Sequence, residues 1–142
     1  MNDLSATEMM HFHSFVEQFA PSKHLRDRWR YFAGKNQANY WGAVEPMKYW
    51  EVSCNHFNTV DLSTVAFHEW QKCPPIAQLD AINDSVVLVA CGHADPDVSS
   101  MGLSEFFQFD SLDLPIEFVA SLKPGKVVLV ANHNGESLLL QR

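Results

Sequence analysis

The chain predicts an α+β fold: N-terminal helices packed on a mostly antiparallel or mixed sheet, closed by a C-terminal β-hairpin. Three observations carry that expectation. Apolar residues recur at helical spacing near the N-terminus, as in Met9, Phe12, Val16 and Phe19. Two runs that are apolar on both faces, "VVLVAC" (86–91) and "VVLVA" (127–131), lie in the second half and read as covered central strands. Near the end, Asn134-Gly135 separates two apolar runs, the signature of a type I′ hairpin turn.

The elements follow in order. "SATE" (5–8) is a capping box in which Ser5 and Glu8 satisfy each other's free backbone donors, and Pro21 ends the helix it opens. A second helix is expected from Ser22 to Gly34, burying Leu25, Trp29 and Phe32 and turning Lys23, Arg26 and Arg30 outward. "KNQANYWGAVEP" (35–46) reads as a loop. In "MKYWEVSC" (47–54) Trp50, Val52 and Cys54 alternate with Tyr49, Glu51 and Ser53, which predicts a half-buried strand. Ser63 should open a third helix with Leu62, Ala66, Trp70 and Cys73 as its stripe. Pro74-Pro75 then begins a short helical turn carrying Ile76, Leu79 and Ile82. "EFFQFD" (105–110) is assigned to a strand, and "LPIEFVASLKPG" (114–125) to a short helix with a Pro-Gly stop. Strands are thus expected near 47–54, 86–91, 105–110, 126–132 and 136–141. The expected core is Phe12, Val16, Phe19, Trp29, Phe32, Trp50, Val52, Trp70, Val87, Val89, Val128 and Val130. In the aromatic stretch 39–50, Trp50 should be buried and Trp41 partly exposed as a contact residue.

Length sets the frame for one globular domain spanning 1–142. Apolar residues at 46% and charged residues at 19% are ordinary for a folded domain. No apolar run has the roughly 18 residues of a membrane span, and the N-terminal residues lack a secretory pattern. Three cysteines without a framework spacing predict reduced thiols and a cytoplasmic setting.

Charge is unevenly placed. Residues 1–50 hold six basic and five acidic groups, and residues 51–142 hold four and twelve, giving −7 for the whole. From Lys72 to Lys123 no Lys or Arg intervenes, while Asp80, Asp84, Asp95, Asp97, Glu105, Asp110, Asp113 and Glu117 do. Such a surface disfavours nucleic acid, and the basic run around Lys23–Arg30 reads as a solvated helix face.

Two Cys-x-His pairs, Cys54/His56 and Cys91/His93, contain the ligand types of a zinc site, yet both cysteines share a strand face with core residues. Structural zinc also favours cysteine pairs two to four residues apart, so no metal and no cofactor are expected. "DPDVSSMGLSEF" begins like a calcium loop but has Ser100 where the sharp turn needs glycine and Phe106 where a bidentate Glu is required. His11 and His13 lie about 200° apart on a helix and cannot share an ion. Phosphate-binding, dinucleotide-binding and hydrolase signatures are absent.

The functional expectation is a non-catalytic protein-binding domain of the inhibitor, immunity or antitoxin kind, or an assembly subunit. Its binding residues are Asp95, Asp97, Glu105, Asp110, Asp113 and Trp41. Its partner is a basic protein or the Lys23–Arg30 helix of a second copy. The alternative is a small enzyme or metal protein centred on Cys91, His93, Asp95 and His133.

Overall fold

The computed structural model describes residues 6–35, 40–80, 84–91 and 96–142. Ser5, Ile82, His93 and Asp95, all singled out above, lie outside the described residues.

Helix α1 (Ala6–Phe19) buries His11, Phe12, Phe15, Val16 and Phe19, the stripe that its periodicity predicts. Helix α2 (Lys23–Lys35) starts where Ser22 Oγ accepts the Leu25 N–H at 3.1 Å, an N-cap that satisfies one of the helix's open donors. It buries Leu25, Trp29 and Ala33. Phe32 does not join the core; it is 40% exposed, because the buried stripe runs through Trp29 to Ala33 and leaves Phe32 beside it.

Six strands form one antiparallel sheet in the order β1-β6-β5-β4-β2-β3. They are β1 (Asn58–Asp61), β2 (Ser85–Ala90), β3 (Asp97–Gly102), β4 (Phe118–Lys123), β5 (Val127–Ala131) and β6 (Ser137–Gln141). The apolar run in β2 is buried from Val86 to Val89, as a strand covered on both faces should be. One face, with Val87, Val89, Val119, Val128, Val130 and Leu140, packs on α1, α2 and the aromatic segment around Trp41 and Tyr49. The other, with Val86, Leu88, Phe118, Ala120, Leu129 and Leu139, packs on short helical pieces carrying Phe67, Trp70, Ile76, Leu103 and Phe106. The sheet is therefore the middle of three layers.

Four element assignments are corrected. Residues 47–54 hold no strand. One turn of helix, α3 (Lys48–Glu51), follows Pro46, and Lys48 pairs with Glu45 at 3.9 Å and Glu51 at 3.1 Å, both at helical spacing. Tyr49 rather than Trp50 thus enters the core, its hydroxyl donating to the Phe19 carbonyl at 2.7 Å, while Trp50 and Val52 are half-buried. The third helix shrinks to a 3-10 turn, Phe67–Lys72, before helix α4 (Pro74–Ala77). The strand expected at 105–110 is instead helix α5 (Leu103–Phe106) and a following turn, which bury Phe106 and half-bury Phe107 and Phe109. The helix expected over 114–125 is β4, a central strand. Its residues Phe118 to Leu122 are buried on both faces, so no alternation marks them.

The C-terminal hairpin of β5 and β6 forms, with Ala131 opposite Ser137. Its turn differs from type I′, which needs positive φ at both central residues. Only Gly135 is left-handed, at φ +80, and it follows a turn closed by Gly135 N–H to Asn132 O at 3.3 Å. The Pro-Gly stop joins strands instead: Lys126 N–H bonds Lys123 O at 3.0 Å, with Pro124 and Gly125 (φ +69) in the positions a type II turn assigns them.

Candidate docking cleft

Antiparallel pairing sets Ser137, Ala131, Phe118, Ala90 and Asp97 abreast across β6, β5, β4, β2 and β3. Neighbouring strands lie about 4.8 Å apart, so this row spans one end of the sheet. On the face that carries Phe67 and Trp70, a cleft of about 870 Å³ opens at that end. Phe67, Trp70, Phe118 and Ala131 line it from the core side. Leu112, 90% exposed, and Ile116, 78% exposed, stand at its lip, and Val65 also lines it. Isolated exposed apolar residues are common, but here three line one concavity.

The lip is held by local chemistry. Asp110 accepts the Leu112 N–H at 3.1 Å and opens the 3-10 turn Ser111–Asp113, which turns Leu112 to solvent. Leu114 takes the extended backbone (φ −72, ψ 146) required before Pro115, and Ile116 follows in the open. Opposite, buried Asn132 accepts the N–H groups of Asn134 at 2.9 Å and Glu136 at 3.2 Å, and donates to Glu136 Oε1 at 3.0 Å. Asn132 thus fixes both the turn and the Glu136 carboxylate beside the cleft. Ser63 stitches the remaining wall to β6 by accepting the Ser137 N–H at 3.0 Å. Asp110 and Glu136 line the cleft, and among the described residues no Lys or Arg does.

Glu117 and His133 stand at the same end of the sheet, 4.0 Å apart. Both line a smaller hollow of about 370 Å³ shared with Glu45, Lys48 and Glu51. Cys91 belongs here too, its N–H bonding the Glu117 carbonyl at 2.9 Å. Cys91 is 7% exposed, and burial, reinforced by the Glu117 carboxylate, pushes its thiol pKa up to about 12. A nucleophilic thiol requires the opposite shift. Cys54 is raised as well, by burial, and its thiol faces the carbonyls of Val52 at 3.3 Å and Pro21 at 3.7 Å. His56 Nε2 donates to the Ala20 carbonyl at 3.0 Å. Among the described residues no group of three or more His, Cys, Asp or Glu side chains is placed to hold a metal ion.

The expected binding residues divide. Asp97 opens β3 at the cleft end of the sheet, and Asp110 and Asp113 belong to the lip turn. Glu105 does not join them: α5 follows the far end of β3, where Leu103 N–H meets the Asp84 carbonyl. Six residues of strand, about 20 Å, separate the two ends. Trp41 is 1% exposed and makes no surface; Phe12 and Phe15 enclose it at 5.0 and 5.5 Å. Sequence reasoning missed Leu112, Ile116 and Glu136. The available signal was "SLDLPIEF", apolar residues alternating within an acidic stretch around a proline, which suits neither a buried helix nor a core strand.

Comparisons with protein-family models, with curated proteins and with solved structures find no match for this chain.

Proposed function

We propose that this protein is a non-catalytic binding domain whose cleft receives an apolar, positively charged segment of a partner protein, in the manner of an inhibitor, an immunity-type or antitoxin-like protein, or an assembly subunit. The observation that carries the reading is the cleft itself: Leu112 and Ile116 stand in water at its mouth, and Asp110 and Glu136 line it together with His68 but, among the described residues, with no Lys or Arg. Apolar side chains at the lip supply affinity through burial, at about 25 cal/mol per Å² removed from water. Asp110 and Glu136, with Asp97, Asp113 and Glu117 at the same end, select for Lys and Arg and speed encounter. A reducing, cytoplasm-like compartment belongs to this reading, since Cys54, Cys73 and Cys91 are all free.

The test is selection of binders from a displayed random-peptide library on the native protein, with counter-selection on a Leu112→Ser/Ile116→Ser variant. The expected peptides combine bulky apolar residues with Lys or Arg and lose at least about tenfold in affinity on the variant, a hot-spot-sized effect. Peptides without basic residues, or peptides indifferent to the two substitutions, would refute the reading.

A further inference from the structure

Helix α2 carries the mirror image of the cleft's chemistry. Half of the chain's ten Lys and Arg residues lie within its thirteen positions. Arg30 is engaged internally, by Glu17 of α1 and Asp27. Arg28 and Lys35 are not ion-paired among the described residues; they stand over rings instead, Arg28 4.9 Å from the Phe32 centroid and Lys35 5.6 Å from that of Tyr31. Tyr31 and Phe32 pack edge to face at 5.6 Å and are 61% and 40% exposed. The result is a protruding aromatic pair flanked by two cations, on a protein whose net charge is −7.

We infer that the occupant of the cleft is a second copy of this chain, docked through Arg28, Tyr31, Phe32 and Lys35 of α2. The inference rests on the docking reading of the cleft. Charge complementarity selects the occupant: the cleft offers apolar side chains beside two carboxylates, Asp110 and Glu136, with no Lys or Arg among the described residues, and this patch offers two aromatic side chains beside two cations. Tyr and Arg are also the residues that most often dominate interfaces. The two surfaces cannot meet within one molecule, because α2 packs on one face of the sheet and the cleft opens on the other. The contact is therefore heterologous, head to tail, and each added copy presents a fresh cleft and a fresh helix. Net repulsion between acidic copies keeps the association weak and dependent on concentration.

Sedimentation velocity on the full chain tests this. The wild-type mass should rise with protein concentration over about a hundredfold range. A helix variant, Arg28→Glu/Tyr31→Ser, and a cleft variant, Leu112→Ser/Ile116→Ser, alter only exposed side chains and should each remain monomeric alone. Mixed in equal amounts, they should form a 1:1 heterodimer and stop there, because one good cleft and one good helix remain. A wild type that stays monomeric at every concentration overturns the inference, as do variants that self-associate like the wild type or a mixture that forms no dimer. If the wild type is monomeric while the cleft still selects basic apolar peptides, self-docking falls and the cleft reading stands. If no such peptide is selected, the cleft reading falls first.

Discussion

His11 shows how one polar residue is kept inside an apolar layer. It lies on the core stripe of α1, 1% exposed, with Nδ1 2.6 Å from the hydroxyl of Ser121 on β4. Burial lowers its pKa from 6.5 to about 4, against a smaller opposing pull from the Asp84 carboxylate. The unfolded chain therefore binds this proton more readily than the fold between those values. The contribution is whole above pH 6.5 and is lost as pH falls toward 4, by about 3 kcal/mol in total. Urea midpoints at pH 7.5 and 4.5 should fall less for His11→Gln than for the wild type, and an identical fall would remove His11 as the cause. Cys91 makes a second expectation at this scale. Its buried, disfavoured thiolate should leave it unalkylated by iodoacetamide at pH 8 while half-buried Cys54 and Cys73 react, as read by mass spectrometry of the native protein. Labelling of Cys91 at the rate of Cys73 would contradict that account.

Among the elements, the turns separate backbone strain from crowding. Gly125 and Gly135 both hold positive φ, but a Cβ at Gly135 would meet nothing within 4 Å, whereas one at Gly125 would sit 3.2 Å from Gln18 Cγ and 3.4 Å from Ser14 Cβ on α1. Gly135→Ala should cost about 1–2 kcal/mol from left-handed backbone alone. Gly125→Ala should cost more, because the β4–β5 turn must also move off α1. Equal losses in denaturant unfolding would show that the α1 contact yields freely. The same scale explains which elements were legible. Helices α1 and α2 announce themselves by period, by the stop at Pro21 and by the cap at Ser22. Strands β1 and β3 do not: "NTVD" and "DVSSMG" are edge strands, largely exposed, held by backbone ladders to β6 and β2 and not by an apolar pattern.

For the whole molecule, stability and binding should part company at the cleft. Leu112→Ser/Ile116→Ser should leave stability within about 0.5 kcal/mol of wild type, since both side chains are already in water, while peptide affinity falls. Asp97→Lys with Asp113→Lys should slow the association of a basic apolar peptide selected on the wild type and flatten its salt dependence. The screening length that governs this encounter shrinks from about 10 Å at 0.1 M to about 3 Å at 1 M salt. An unchanged on-rate would assign these carboxylates to solubility alone. The absence of Lys and Arg between Lys72 and Lys123 was plain from the sequence, but which carboxylates share a surface was not. The fold places Asp97, Asp110, Asp113 and Glu136 at one end, with Glu117 in the adjoining hollow, and leaves Glu105 with Asp84 at the other.

By itself the sequence determined the class of fold, the two N-terminal helices, the covered strand at 86–91, the C-terminal hairpin and the acidic bias of the second half. Each of these is written in local period, turn chemistry or composition. Only the tertiary structure decided that 118–123 is a central strand, that Tyr49 and Trp41 are buried while Phe32 is not, and that Leu112 and Ile116 flank a cleft. Those outcomes depend on which residues face one another across a six-stranded sheet. Short apolar segments fit a helix and a strand almost equally well until their neighbours cover one face or both.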